Sequence, residues 1–168
     1  EKYMALAETR THRMFTIAPN RGNLYSDDGS LLATSVSKYT IRFDAVTVSD
    51  EDFKENIKPL SDALAKLFGK TSSHYQQVLR KAKQNKNRYT LVARNLDYSD
   101  YIAVKDFPLF KKGPFKGGLI IEQKTKREHP LGKIAERSVG YERIDENGYH
   151  TRVGMEGAFS EYLSGIEG

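Results

Sequence analysis

The 168-residue sequence contains no cysteine, and this absence excludes disulfide bonds, thiolate metal ligands and cysteine nucleophiles together. It also lacks any run of about 20 apolar residues, which is the length that a membrane-spanning helix needs. The histidines form none of the paired spacings that are typical of zinc sites. They are His12, His74, His129 and His150. No glycine-rich phosphate-binding loop is present either. The sequence therefore predicts neither a bound metal nor a cofactor.

What the chain does contain indicates a folded domain with a surplus of positive charge. Apolar residues make up 38% of it and the net charge is +5. This apolar fraction is slightly low for a compact globule, which favours an elongated shape. Lysines and arginines are interleaved with acidic residues, whereas nucleic-acid-binding domains usually cluster their cations. The basic run Arg80–Arg88 leaves a nucleic-acid-binding module open as an alternative.

Strand patterns begin near the amino end. Asp28 and Gly29 lie between two apolar runs, a combination that is typical of a hairpin turn. Apolar and polar residues then alternate from Tyr39 to Ala45, which predicts a half-buried strand.

Helical patterns dominate residues 47–118. Ser49 is a candidate N-cap before an acidic first turn, and Gly69 is placed to end that helix. Pro59 lies between them and predicts a kink or a restart. A capping box over Ser73–Gln76 predicts the start of a second helix, whose cationic end favours the helix dipole.

The remaining segments mix both periodicities. We predict strands over Tyr89–Arg94 and Leu119–Lys126, with a short helix over Tyr98–Val104. Pro130 opens a further helix over Leu131–Ser138, because proline suits the first helical position. Gly140 ends that helix, and Asn147-Gly148 marks a turn. A last helix carries Met155, Phe159, Tyr162 and Leu163 on one face and stops at Gly165. This order of elements predicts an α+β fold with strands near both ends.

One segment formally matches a nucleophile motif. Ser35 and Lys38 have the S-x-x-K spacing, in which a lysine one helical turn away can activate the serine. The segment runs into the alternating strand, where positions three apart point to opposite faces. We therefore predict no catalytic residue, and a hydrolase or transferase based on these two side chains is a further alternative.

Three motifs together resemble one family. They are RGNLYSDDGSLLA at 21–33, REHPLGKIA at 127–135 with SVGY at 138–141, and GME at 154–156 with its downstream phenylalanine, leucine and glycines. In this order they resemble the signatures of the pedestal, or dimerisation, module of class B penicillin-binding proteins. The residues of these motifs are most similar to those of division-type (FtsI-like) members from the Bacteroidota.

The resemblance assigns a structural role to a set of motif residues. They are Arg21, Gly22, Gly29, Arg127, Pro130, Gly132, Gly140, Gly154, Glu156 and Gly165. Because the arginines need anionic partners, we expect Glu156 to pair with Arg21 or Arg127 and to hold separated segments in one core.

The same resemblance implies a domain layout. It predicts an elongated, two-lobed pedestal whose core comprises residues 21–46 and 119–168, with residues 47–118 as an inserted helix-rich lobe. Residues 1–20 would be a membrane-proximal segment that follows a transmembrane anchor, since Glu1–Ala7 reads as a helix already under way. A serine transpeptidase domain, absent from this chain, would follow.

The function that the resemblance implies is non-catalytic. The module would position the transpeptidase domain and dock a polytopic peptidoglycan glycosyltransferase and other division proteins, without binding nucleic acid. Peptidoglycan and β-lactams would be bound through the catalytic domain. The parent protein would lie in the bacterial envelope, on the periplasmic side of the inner membrane, with a single membrane pass.

Overall fold

A computed structural model describes residues 19–132 and 136–165 as a mixture of antiparallel strands and helices. The strands are β1 (Leu24–Tyr25), β2 (Leu31–Phe43), β3 (Thr90–Leu96), β4 (Leu119–Glu128), β5 (Tyr141–Ile144) and β6 (His150–Val153). The α-helices are α1 (Asp50–Phe68), α2 (Ser72–Gln84), α3 (Tyr98–Lys105), α4 (Pro114–Gly117), α5 (Glu136–Val139), α6 (Gly154–Ala158) and α7 (Ser160–Leu163). A 3₁₀ turn occupies Phe110–Lys112. The predicted α+β class is confirmed.

The chain divides into two compact units. Unit 1 consists of the described residues up to Ser35 and from Arg127 onward, and unit 2 is Val36–Lys126. Both divisions fall inside strands, because β2 and β4 each run from one unit into the other. A boundary inside an unbroken strand is not marked by a change in amino-acid composition, so the sequence does not reveal it. The layout inferred from the family resemblance, with limits after 46 and before 119, stays a proposal about domains.

Unit 2 has a continuous apolar core. β2 pairs antiparallel with β3, placing Tyr39 opposite Leu96 and Ile41 opposite Ala93, and β4 also pairs with β2. The predicted alternation is confirmed, because every second residue from Tyr39 to Ala45 is buried. The two long helices add the other half of this core. Their buried apolar residues are Phe53, Ile57, Leu60 and Leu64 of α1 and Tyr75, Leu79 and Ala82 of α2.

Helix α1 is bounded as the sequence predicts. The Ser49 hydroxyl accepts a hydrogen bond from the Asp52 amide at 3.1 Å. At the other end the Gly69 amide donates to the Ala65 carbonyl at 2.9 Å. Of the two alternatives predicted at Pro59, the restart is wrong, since the helix is continuous over Asp50–Phe68, and the kink stays a prediction. Proline removes only one donor from the helix, and buried residues on both sides of it anchor the helix to the core.

The predicted start of the second helix is also wrong. Its N-cap is Thr71, whose hydroxyl accepts a hydrogen bond from the His74 amide at 3.2 Å. Ser73 already lies inside the helix. Adjacent serine and threonine residues offer several capping hydroxyls, and the tight connection after Gly69 selects the earliest of them.

Two hairpins build unit 1. The Asp28-Gly29 turn is confirmed between β1 and β2, with the Asp28 carboxylate accepting from the Ser30 amide at 3.0 Å. β5 pairs antiparallel with β6 across a turn in which the Gly148 amide donates to the Asp145 carbonyl at 3.1 Å.

The helix predicted over Leu131–Ser138 is only partly present. Pro130, Leu131 and Gly132 form a turn, closed by the Gly132 amide donating to the His129 carbonyl at 2.9 Å. Residues 133–135 lie outside the described residues, and a helix then covers Glu136–Val139. Gly140 follows directly after its last residue, as predicted.

The predicted last helix is broken in two. α6 and α7 are separated at Phe159, whose backbone dihedrals are φ −99° and ψ 17°. The predicted apolar face is wrong in part, because Phe159 is 47% and Tyr162 86% exposed, whereas Leu163 is buried as predicted. Glu156 and Ser160 form the rest of the buried face. A polar buried face is invisible to a pattern search that scores apolar residues alone.

Two motif glycines lie against each other. Gly140 has φ +70° and Gly154 has φ +62°, a region that side chains other than glycine rarely adopt. A Cβ added at Gly154 would lie 2.6 Å from the Ser138 carbonyl oxygen and 2.9 Å from the Gly140 nitrogen. A Cβ added at Gly140 would overlap the Val153 carbonyl. The start of β5 and the start of α6 can approach this closely only without side chains.

We predict that Gly140→Ala destabilises the chain far more than Gly148→Ala. Gly148 also has positive φ, at +82°, but a Cβ there would meet nothing within 4 Å. Gly148→Ala should therefore cost only the backbone strain of about 1–2 kcal/mol. Gly140→Ala adds a backbone clash and should cost about 3 kcal/mol or more, measured by urea denaturation. Equal losses in the two variants would contradict the close approach.

Candidate functional site

A buried carboxylate joins two arginines from distant parts of unit 1. Arg21 Nε donates to Glu156 Oε2 at 2.7 Å, and Arg127 donates to Glu156 Oε1 through Nη2 at 2.6 Å and Nε at 2.8 Å. The Glu156 side chain is 1% exposed, while the two arginines are 18% and 19% exposed. Arg21 Nη2 also donates to the Glu156 carbonyl oxygen at 2.6 Å. Glu156 was expected to pair with Arg21 or Arg127, and in the structure it pairs with both.

A second carboxylate extends this group. Arg21 Nη1 lies 2.5 Å from Glu142 Oε2, and the Ser160 hydroxyl donates to the same oxygen at 2.7 Å. The other oxygen accepts from Arg152 Nε at 2.9 Å and lies 3.0 Å from His150 Nδ1. We call Arg21, Arg127, Glu142 and Glu156 the arginine–glutamate cluster.

The surroundings of Glu142 stabilise its ionised form. Burial by itself would raise the pKa of this carboxyl, but hydrogen bonds from Ser160, Arg152 and His150 and the charge of Arg21 lower its pKa to about 2. Glu142 is therefore a carboxylate at neutral pH, and it binds cations rather than exchanging protons.

Ser35 takes part in this cluster as a hydrogen-bonding group. Its hydroxyl donates to the Arg21 carbonyl at 2.9 Å and accepts from Arg127 Nη1 at 3.0 Å. Lys38 lies on the same strand and pairs instead with Asp97 at 2.6 Å. The strand conformation that argued against the S-x-x-K interpretation is confirmed.

Every charged group of the cluster is engaged by an opposite charge. The arrangement stabilises the fold of unit 1, because buried charges are stable only when they are paired and hydrogen-bonded. A cleft of about 280 Å³ adjoins the cluster, and His129, Tyr141 and Arg143 also line it. Within the described residues, His129 Nε2 is buried without a hydrogen-bond partner.

Residues 16–168 match the family of penicillin-binding protein dimerisation domains. The chain belongs to this family. It is 28% identical, over 167 residues and 96% of its length, to the peptidoglycan D,D-transpeptidase FtsI of Buchnera aphidicola subsp. Schizaphis graminum (strain Sg). The family predicted from the three motifs is confirmed, whereas the predicted origin in the Bacteroidota stays a prediction.

The fold of this dimerisation domain is shared with a solved structure. Penicillin-binding protein 2X from Streptococcus thermophilus matches 92% of the chain with a TM-score of 0.67 and 24% identity. The dimerisation domain spans about a quarter of each relative, 26% of the transpeptidase and 24% of the crystallised chain.

The dimerisation domain brings some of the motif residues together and leaves others apart. Besides the cluster, it places Gly22 beside Leu163, where the Gly22 amide donates to the Leu163 carbonyl at 2.8 Å. Gly165 follows, and a Cβ there would lie 2.6 Å from the Pro19 Cβ. The turn residues lie elsewhere. They are Gly29, Pro130 and Gly132.

Five participants were missed by the sequence reasoning, namely Glu142, Ser160, Ser35, Arg152 and His150. Ser160 carried a usable signal, because it follows Glu156 by one helical turn. Glu142 carried a weaker one, since it comes two residues after a motif glycine. No local signal marks Ser35 or Arg152, which are brought in by strand pairing.

The basic run Arg80–Arg88 contains a cation that is used inside unit 2. Lys83 Nζ donates to the Val48 carbonyl at 2.5 Å and to the Ala45 carbonyl at 3.2 Å, and it lies 3.0 Å from Asp50. Lys81 and Lys83 occupy the last turn of α2, where positive charge favours the helix dipole.

The described part of the chain contains neither a candidate membrane span nor a candidate metal site. None of its helices has the length and apolar character needed to cross a bilayer. Within the same residues, no group of three or more histidine and acidic side chains is arranged to hold a metal ion.

We predict that Glu156→Ala strongly destabilises this dimerisation domain. The change leaves two largely buried arginines without their carboxylate, which should cost about 3–5 kcal/mol. The measurement is the melting temperature and the urea-unfolding free energy. Glu161→Ala is the matched control, because Glu161 is exposed on the next helical turn and should change stability by about 0.5 kcal/mol or less. Superimposable melting curves for the wild type and Glu156→Ala would refute the role.

We predict a second, pH-dependent effect at Glu142. Its pKa is about 2 in the fold against 4.5 in the unfolded chain, so its stabilisation is complete above pH 4.5 and is lost as the pH falls toward 2. Relative to Glu142→Gln, the wild type should be more stable by up to about 3 kcal/mol at neutral pH. Urea denaturation of both proteins at descending pH should show this advantage shrinking. A constant difference would contradict the assignment.

Proposed function

We propose that the chain is the non-catalytic pedestal of a class B penicillin-binding protein. The parent protein would be a serine-type D,D-transpeptidase that cross-links peptidoglycan, as the name of the Buchnera relative suggests by analogy. The observation that carries the proposal is the pairing of Glu156 with both Arg21 and Arg127, which joins all three family motifs at one buried carboxylate.

The geometry of unit 1 supports a positioning role. The Gly22 amide donates to the Leu163 carbonyl, so the early and late segments of the described chain lie side by side. Arg21 pairs with Glu156 and Glu142, which ties the early segment to α6 and β5 as well. A rigid connection of this kind would transmit the position of an upstream membrane anchor to a downstream catalytic domain.

The finer assignments extend this proposal. The module would act at the septum during cell division and dock a polytopic glycosyltransferase and other division proteins. Peptidoglycan and β-lactams would be bound by the catalytic domain of the parent. The parent would be anchored by one membrane pass and face the periplasm. The division role is supported by the resemblance of the three motifs to division-type (FtsI-like) members and by the match to the peptidoglycan D,D-transpeptidase FtsI of Buchnera.

The test captures the parent protein from source cells. An antibody raised against this chain is used for immunoprecipitation, and the captured protein is treated with fluorescent penicillin. We expect a labelled band well above 19.1 kDa and no label on the isolated chain, because the acyl-enzyme forms on a catalytic serine outside it. Pre-treatment with unlabelled penicillin is the control and should abolish the signal.

Two outcomes would overturn the proposal. A captured parent that is never labelled would show that the module does not serve an active transpeptidase. Specific labelling of the isolated chain would place a nucleophile inside it. Immunofluorescence with the same antibody tests the division role, and uniform staining along the lateral wall would contradict a septal position.

A further inference from the structure

Strand β3 presents a free edge in unit 2. It spans seven residues and pairs with β2 along one side. No second strand pairs with it among residues 19–132 and 136–165. A free edge exposes a row of unpaired amide and carbonyl groups, and these groups can add another extended chain.

An apolar groove runs along this edge. Its volume is about 470 Å³, and its walls include Phe68, Tyr75 and Val78 from α1 and α2. Four consecutive residues of β3, Leu91–Arg94, line its other side. Successive residues of a strand point to opposite faces, so a groove that touches all four faces the edge of the strand rather than one face.

The edge is only partly protected against pairing. The β2–β3 register is irregular near Ile41 and the edge carries Arg94, but β3 contains no proline and presents Leu91, which is 41% exposed. An apolar side chain beside free backbone groups, next to an apolar wall, favours an occupant that is itself an extended peptide.

The charge of the groove specifies the occupant further. Lys70, His74 and Arg94 line it, and none of the residues that line it is acidic. Neither Lys70 nor Arg94 has an ion pair or a hydrogen bond from its side chain within the described residues. Two unengaged cations in a groove without acidic residues are complementary to an acidic chain.

We propose that this groove docks an extended, acidic segment of a partner protein, which adds to β3 as a further strand. The partner's apolar side chains would fill the space between β3 and α2, and its acidic residues would pair with Lys70 and Arg94. The inference deepens the docking role proposed above by naming the surface and the chemistry of the partner. The segment would align with the four consecutive β3 residues that line the groove, Leu91–Arg94.

The probe is a short capped peptide of alternating glutamate and valine. It is titrated into the isotopically labelled 168-residue chain, and the amide NMR spectrum is recorded. We expect shifts concentrated in β3 and the facing part of α2, with slowed hydrogen exchange for outward-facing amides of β3. Unchanged spectra at millimolar peptide would overturn the proposal.

Two altered peptides test strand addition and the recognition of acidic side chains separately. Methylation of alternate amide nitrogens removes the ladder hydrogen bonds and should abolish binding, so equal binding would exclude strand addition. Replacing glutamate with lysine keeps the shape and should weaken binding about tenfold. Equal affinity of the lysine peptide would exclude the acidic partner.

Matched variants of the chain locate the site. Leu91→Asp should abolish binding, while Ile102→Asp should not, since Ile102 is 37% exposed on α3 and lies outside the groove. Arg94→Glu should weaken binding about tenfold, and Lys58→Glu, exposed on α1, should leave it unchanged. Arg94→Glu changes an exposed side chain, so it keeps the test valid if Leu91→Asp unfolds.

These measurements separate the inference from the proposed function. They use the isolated chain without penicillin. If the peptide fails to bind but the parent is labelled by penicillin, the docking proposal is refuted and the proposed function is retained. If the peptide binds but the parent is never labelled, the docking proposal is retained and the transpeptidase role is refuted.

Discussion

Unit 1 depends on the burial of the Glu156 carboxylate between two arginines. A carboxylate that is 1% exposed is unfavourable unless its lost hydration is replaced. Here Arg21 and Arg127 supply three short hydrogen bonds to its two oxygens. The arginines come from the first described segment and from the end of β4. The ion pairs of Glu156 therefore hold three distant stretches of sequence together.

The backbone around this carboxylate is arranged to permit the pairing. The contact between Gly140 and Gly154 brings the start of β5 against the start of α6, two residues before Glu156. It also places Glu142, two residues into β5, within reach of Arg21 and Ser160. The motif glycines Gly140 and Gly154 and the motif charges are therefore parts of one local structure, in which close backbone approach positions the ion pairs.

The two units are stabilised by different physical means. Unit 2 has a continuous apolar cluster of β2, α1 and α2, in which residues such as Phe43, Leu60 and Leu79 are fully buried. Burial of each such side chain contributes about 1.5–3 kcal/mol. Unit 1 instead relies on ion pairs and glycine contacts. This difference explains why apolar periodicity located the core of unit 2 but missed the polar buried face of unit 1: such periodicity reports hydrophobic cores, and it says little about polar ones.

The amino-acid sequence alone sufficed for the family, the α+β class and the features set by neighbouring residues. The Ser49 cap, the Gly69 helix end and the Asp28-Gly29 turn depend on hydrogen bonds and dihedral angles within a few positions. The sequence also marked Glu156 and its arginines, through their motifs.

Tertiary structure decided the rest. The break at Phe159 and the continuity of α1 through Pro59 depend on packing against distant segments. The roles of Ser35 and Arg152 likewise arise from contacts that strand pairing creates, and no local pattern encodes such contacts.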